Sequence, residues 1–289
     1  MSMFHSEKIA QGTWKISGEG CDAYLLEGGR EAVMIDAGMW SADILEFIAD
    51  LTDMPVRGVI NTHSHFDHTA GNGYFSRVYA TEGIARSAKN TMGGAPEDFP
   101  LDYSFTIVKD GDIIDLGDRP LEVILLDAHS PGCVAVLDET YRLLYPGDEL
   151  EKGQVLLLPG YAEEPGQIHA RPASTVQTYQ RAIRRLNGYR DRFDKLCPAH
   201  NGSPIGADYI DRYIELAQKI MDGYEGSTDC SGATYTDKMG HFPRKEANYR
   251  RAEWNGASLI YCADRILDTD GEQVSPATVL HEQSAHSIY

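Results

Sequence analysis

Short apolar runs, broken at close intervals by glycine, proline and charge, dominate the first half of the chain. Gly12-Thr13-Trp14-Lys15-Ile16, Ala23-Tyr24-Leu25-Leu26 and Ala32-Val33-Met34-Ile35 read as successive strands, with Gly28-Gly29 as a hairpin turn. Asp36-Ala37-Gly38 ends the third. The period then changes. Ser41 is placed to cap a helix that carries Ile44, Phe47, Ile48 and Leu51 on one face, and Pro55 ends it. Val56-Arg57-Gly58-Val59-Ile60 returns to an apolar run. A second helix is expected soon after it, and a third over about Glu82 to Asn90, with a weaker apolar face. Residues 91 to 104, with Gly93-Gly94, Pro96 and Pro100, read as a loop bordering a site.

Strands resume between Phe105 and Tyr145. A helix over 175 to 187 comes next, where Val176, Tyr179, Ile183 and Leu186 recur at helical spacing and Gly188 closes the end. Two groups of strands, separated and flanked by helices, suit two sheets packed face to face with helices outside. From 207 to 222 Tyr209, Tyr213, Leu216 and Ile220 line one face of a further helix. Residues 223 to 256 are rich in Gly, Ser, Thr and charge and carry no clear period. Ala257-Ser258-Leu259-Ile260-Tyr261-Cys262 reads as a short strand or a helix start, and the last 20 residues are polar. The expected organisation is a catalytic core over 1–205 and a C-terminal extension over 206–289, a helix and loop-rich tail packed on the core rather than an independent domain.

Charge narrows the partners. Lys plus Arg number 26 against 44 Asp plus Glu, a formal charge of −18. Binding to a phosphate backbone is electrostatic, so nucleic acid is a poor partner for this chain. No run approaches the roughly 18 apolar residues of a membrane span, and Met1-Ser2-Met3-Phe4-His5-Ser6-Glu7 lacks a basic start and an apolar signal core. Cys21, Cys133, Cys197, Cys230 and Cys262 are scattered, odd in number and form no C-x-x-C pair. Reduced thiols in a cytoplasmic protein are expected, with Cys133 and Cys197 nearest the candidate chemistry. A small-molecule substrate is the expected partner; a homo-oligomer is left open.

The chemistry concentrates in Asn61-Thr62-His63-Ser64-His65-Phe66-Asp67-His68. Three imidazoles and a carboxylate within six residues, directly after an apolar run, suit a divalent metal. Three further apolar runs each meet Gly or Pro beside a ligand type: Leu126-Asp127-Ala128-His129-Ser130-Pro131-Gly132, Tyr145-Pro146-Gly147-Asp148 and Cys197-Pro198-Ala199-His200-Asn201-Gly202. Loops at strand ends are where a rigid sheet presents functional side chains. Together these loops would gather His63, His65, Asp67, His68, His129, Asp148 and His200, more donors than one tetrahedral zinc accepts.

This order and spacing resembles the metallo-β-lactamase-fold superfamily over roughly residues 12 to 202, above all its glyoxalase-II-like and lactonase-like hydrolases. The resemblance implies an α/β (α+β) fold, the four-layer αβ/βα sandwich of two mixed β-sheets with helices on the outer faces. It implies that His63, His65 and His129 hold one metal and Asp67, His68 and His200 a second, with Asp148 between them. Two Zn2+ per chain are expected, with Fe or Mn as alternatives. A bound divalent metal lowers the pKa of water from about 16 toward 7, so a hydroxide shared by two metals can attack a small carbonyl substrate: ester, thioester, lactone or amide. Asp67 would also orient that nucleophile and take its proton. The carboxylate at Asp148 is similar to the ester, thioester and lactone hydrolases more than to the antibiotic-cleaving members.

Two alternatives stay open. Persulfide dioxygenases of this fold use one iron on two His and one Asp, here His63, His129 and Asp148. A non-catalytic metal-binding or ligand-sensing protein is the other. The stretch Glu149 to Ala173 is long and rich in Pro and Gly, which suits a substrate lid. Tyr161 is its candidate oxyanion donor and His169 its candidate proton shuttle, although a packing ring and a surface imidazole are the simpler readings of the two. Arg244-Lys245, Tyr249-Arg250-Arg251 and Trp254 read as a solvated charged face or an oligomer contact in preference to a carrier-binding tail.

Overall fold

The computed structural model describes residues 3–18, 20–39, 44–89, 99–157, 174–230 and 248–269. Seven strands lie side by side in chain order in the first sheet: β1 (His5–Ala10), β2 (Thr13–Ser17), β3 (Asp22–Glu27), β4 (Ala32–Ile35), β5 (Val56–Ile60), β6 (Arg77–Ala80) and β7 (Phe105–Ile107). The first four pair antiparallel across short turns. From β4 to β7 the pairing is parallel, which demands crossovers. These contain α1 (Ile44–Ala49), α2 (Phe66–Thr69) with the 3-10 turn Ala70–Tyr74, and α3 (Glu82–Ser87). The Thr81 hydroxyl caps α3 by accepting from the Ile84 amide.

The second sheet begins with β8 (Ile113–Asp115), β9 (Pro120–Leu125), β10 (Val134–Asp138) and β11 (Leu143–Gly147). After β12 (Val155–Leu156), which joins a third sheet, and α4 (Val176–Asn187), it is completed by β13 (Lys195–Pro198) and β14 (Ile205–Gly206). Its order is β14-β13-β11-β10-β9-β8, with only β11 and β13 parallel.

Alternation along the strands sets the layers. Val33 and Ile35 of β4 meet Leu121 and Val123 of β9, and Leu143 and Tyr145 of β11, in the core between the sheets. The intervening Ala32 and Met34 turn outward onto Ile44 and Ile48 of α1. On the other side Ile124, Leu137, Leu144 and Leu196 turn outward onto Tyr179, Ile183 and Leu186 of α4. Helix, sheet, sheet and helix are the four layers expected from the sequence.

Beyond the second sheet, α5 (Tyr209–Met221) buries Tyr213, Leu216 and Ile220 in the same cluster as α4. Past α5 the structure departs from the sequence reading. Residues 223 to 256 carry β15 (Thr228–Asp229) and β16 (Tyr249–Trp254), and β17 (Ala257–Cys262) is a full strand of a sheet ordered β12-β17-β16-β15. β16 and β17 form a hairpin around Asn255 (φ 49°) and Gly256 (φ 82°), the two positive φ angles of a type I′ turn. The edge strand β1 also has no counterpart in the sequence reading, because it is mostly exposed and shows no alternation. Ser41 and Asn90, expected at helix ends, lie outside the described residues. No helix among the described residues is long and apolar enough to cross a membrane.

Candidate metal centre

Four loops at the C-terminal ends of β5, β9, β11 and β13 converge at one end of the sandwich, across both sheets. All seven candidate ligands come together there. His63, His65, His129 and Asp148 each bring a ligand atom within 4.8 Å of one another, and Asp67, His68 and His200 do the same. Asp148 stands between the two groups. Its Oδ2 lies 3.6 Å from His63 Nε2 and 3.7 Å from His129 Nε2, and its Oδ1 lies 3.4 Å from His68 Nε2 and 3.5 Å from His200 Nε2.

Local structure aims these side chains. Asp148 follows Gly147, whose φ is 56° and where a Cβ would collide with the Thr62 side chain, so glycine alone lets β11 approach the His63 loop. The His129 loop turns on Asp127, whose carboxylate accepts from the Gly132 amide (2.6 Å). The His200 loop is tied to the first sheet by the Asp22 amide, which donates to the Ala199 carbonyl (2.8 Å).

Hydrogen bonds also fix the ring tautomers. The Asp36 carboxylate, held at φ 57°, accepts from the Thr62 amide (2.8 Å), the Thr62 hydroxyl (2.7 Å) and His68 Nδ1 (2.8 Å). Because the Thr62 hydroxyl donates to Asp36, its oxygen accepts from His63 Nδ1 (3.1 Å). His129 Nδ1 donates to the Leu156 carbonyl (2.8 Å). In His63 and His129 Nδ1 carries the proton and the Nε2 lone pair faces the cluster. His68 Nδ1 keeps its proton on Asp36, and although burial opposes charge there, Cys21, Asp148, Asp67 and Asp36 raise its pKa well above the usual value, so the Nε2 side takes a second proton or a cation. Such partners orient metal-binding imidazoles.

The residues fit a pair of divalent cations. His63 Nε2 and Asp148 Oδ1 are buried without a hydrogen-bond partner among the described residues, a costly arrangement unless a further group sits there. His65 Nδ1 lies 3.2 Å from His129 Nε2, and His68 Nε2 lies 3.3 Å from His200 Nε2. Converging ring nitrogens of this kind are what a cation needs. Burial, with help from His68, drives the His63 pKa well below its usual value, and burial and His129 push His65 down to about 3. Both rings are thus neutral donors. Burial opposes charge on His200, but Asp148 and Asp67 outweigh it and raise the ring to about 9. Protons or a cation can neutralise the same two carboxylates.

Several residues at the site carry no sequence motif of their own. Asp36 is one. Glu149 accepts from the Ala128 and His129 amides, Glu151 accepts from Asn201, and Cys21 lies beside His68 with burial driving its thiol up to about 12. The readable signal for Asp36 is a carboxylate ending a buried strand next to the His-rich one. The Cys133 thiol donates a hydrogen bond to Glu149 Oε1, and Cys197 packs between the sheets. Tyr161 and His169 lie outside the described residues, as does the expected lid beyond 157. The described part of that segment is no lid: Glu149, Leu150, Glu151 and Val155 are buried.

An αβ/βα sandwich with paired His/Asp clusters at the ends of its strands defines a class of metal-dependent proteins. Residues 16–200 match the family described as Metallo-beta-lactamase superfamily, and the chain belongs to it. A bovine (Bos taurus) acyl-coenzyme A thioesterase is 26% identical over 229 residues, covering 68% of this chain and 78% of the relative. A hydroxyacylglutathione hydrolase of Francisella philomiragia is 27% identical over 202 residues, 70% of this chain and 68% of the relative. A mitochondrial persulfide dioxygenase of Bos taurus is 28% identical over 121 residues, 42% of this chain and 44% of the relative. Among solved structures, a metallo-beta-lactamase from Pontibacter korlensis superposes with a TM-score of 0.56 at 20% identity, over 74% of this chain and 99% of that one.

Proposed function

We propose that the chain is a dinuclear metal-dependent hydrolase of a small carbonyl substrate, with a thioester as the bond cleaved. The observation that carries this reading is the position of Asp148, one carboxylate oxygen toward each cluster. His63, His65 and His129 would hold one ion, Asp67, His68 and His200 the other, and Asp148 both. Bound there, a zinc pair supplies a water of lowered pKa and a Lewis acid for the carbonyl. The chain does the rest. Asp67, whose Oδ2 lies 3.2 Å from His200 Nε2, orients the attacking water and takes its proton. Asp36 and the Leu156 carbonyl hold the rings still. The leaving group favours a thioester. A thiolate, with a pKa of about 8.5, departs without the proton an alkoxide or amine requires. Two of the relatives bear names of thioester hydrolases. Free thiols at all five cysteines suit a reducing compartment, and so the cytoplasm.

A second reading is supported by the persulfide dioxygenase relative and by the nearly equal distances from Asp148 Oδ2 to His63 and His129, three ligands that suit one iron. Elemental analysis of protein purified without chelator, followed by assay, separates the two. The expected result is two zinc ions per chain and hydrolysis of acyl thioesters that His63→Ala abolishes. One iron per chain with thiol-dependent oxygen uptake would replace this reading by the second.

A further inference from the structure

The segment after Asp148 reaches back to both clusters, and it does so with a carboxylate for each. Glu149 Oε1 accepts from the His129 amide at 2.7 Å and the Ala128 amide at 3.1 Å. Those are the backbone groups that carry His129, a member of the first cluster. Two residues further on, Glu151 Oε2 accepts from Asn201 Nδ2 at 2.9 Å. Asn201 directly follows His200, a member of the second cluster, and its φ of 59° makes the turn that aims the ring. Both glutamates are nearly inaccessible, at 1% and 4% exposure. Buried carboxylates are rare unless a specific role retains them.

The backbone of the same segment is held from the other side. The Tyr179 hydroxyl on α4 donates to the Glu149 carbonyl (2.9 Å), and the Tyr213 hydroxyl on α5 lies 3.1 Å from the Glu151 carbonyl and 3.2 Å from that of Ser258 on β17. Thus the two carbonyls are fixed by the outer helices while the two carboxylates point into the ligand loops.

We infer that Glu149 and Glu151 are a divided pair of positioning residues: Glu149 sets the metal position of His63, His65 and His129, and Glu151 that of Asp67, His68 and His200. This rests on the dinuclear reading above. Neither side chain need touch a metal or substrate. Each fixes the loop that presents one imidazole, and partners at that remove typically change metal affinity 10–100-fold.

The test is chelator competition on the full chain with zinc, which gives a separate affinity for each step. Cobalt absorption assigns the steps, with His65→Ala and His200→Ala as reference spectra for loss of either position. Glu149→Leu is expected to weaken the first position about 10–100-fold and leave the second within a few-fold. Glu151→Leu is expected to do the reverse, and Asn201→Gly, which keeps the left-handed turn and deletes the amide, to copy Glu151→Leu. Glu149→Gln and Glu151→Gln keep the acceptor oxygen and should restore wild-type affinities. Should a leucine variant fail to fold, Glu149→Asp and Glu151→Asp withdraw the acceptor by one methylene and are read in the same way. Selective loss supports the inference. Equal weakening of both steps in both variants, or no weakening, overturns it and leaves the dinuclear reading standing. A wild-type chain with a single metal step overturns both.

Discussion

Asp36 accepts three hydrogen bonds, from Thr62 twice and from His68 once. An amide in its place cannot accept all three. In Asp36→Asn the oxygen can stay on the Thr62 amide, but the NH2 group then faces His68 Nδ1 and forces that nitrogen to accept. The ring proton moves to Nε2, which points at Asp148 and His200. The expected outcome is metal affinity lowered about 10–100-fold in the cluster of Asp67, His68 and His200, measured by chelator competition. The fold should survive, because Asn tolerates the φ of 57°. Unchanged affinity would show that Asp36 does not set the tautomer. Four of the seven candidate ligands are legible in the sequence because three His and an Asp crowd into His63–His68, and His129, Asp148 and His200 because each sits beside turn residues at the end of an apolar run. Asp36 offers only the weaker signal of a carboxylate ending an apolar strand, and Glu149, Glu151 and Asn201 offer none, because each is an ordinary polar residue until folding places it against a ligand loop. Nothing in the composition of Glu149-Leu150-Glu151 separates it from the many exposed acidic stretches of a chain with 44 acidic residues.

At the scale of elements, α4 shows what a sequence can and cannot disclose. Its apolar face, Val176, Tyr179, Ile183 and Leu186, is readable from spacing and is buried. Its N-terminus is tied to a residue 93 positions away. Thr175 caps the helix by accepting from the Thr178 amide, and its hydroxyl donates to Asp268 Oδ1. Thr178 donates to the same oxygen and Arg181 to Asp268 Oδ2. Burial works against the Asp268 charge, but the bonds from Thr175, Arg181 and Thr178 outweigh it and lower the pKa. A carboxylate whose folded pKa lies below its unfolded value of about 3.9 stabilises the fold above that pH, and the contribution is lost as pH falls through the folded pKa. Asp268→Asn should therefore lower the urea midpoint at pH 6, and the difference should shrink as pH falls below about 4. A pH-independent difference would assign the effect to packing. The β16–β17 hairpin is legible in principle, since Asn255-Gly256 between Tyr249–Trp254 and Ala257–Cys262 is a strong turn signal. Charge at Arg250, Arg251 and Glu253 hides the strand, because that sheet buries only part of one face at those positions.

At the scale of the whole molecule, the two sheets are joined at both ends by different means. The metal loops gather at one end. At the other, Arg119 is 1% exposed and spans the gap between the sheets. Its guanidinium donates to the Gly12 carbonyl (2.7 Å) and the Glu27 carbonyl (2.9 Å) of the first sheet, to the Thr13 hydroxyl (2.7 Å), and to Asp138 Oδ2 at the end of β10. The register of β9 and β10, with Asp138 opposite Leu121 and Val134 opposite Leu125, puts this bond far from His129. Removing the cation alone leaves the Asp138 charge buried with only the Tyr141 amide as donor, so Arg119→Met should destabilise the chain by about 3–5 kcal/mol. Urea unfolding would show this as a lower midpoint with an unchanged slope. Arg119→Met combined with Asp138→Leu removes both charges and should recover a large share of the loss, since well-packed apolar replacements of buried ion pairs are often neutral. Metal affinity in the double variant should match wild type, because none of the four bonded groups touches a ligand loop. A double variant as unstable as Arg119→Met would instead place the stabilisation in the bonds to Gly12 and Glu27, and so in the contact between sheets rather than in the ion pair.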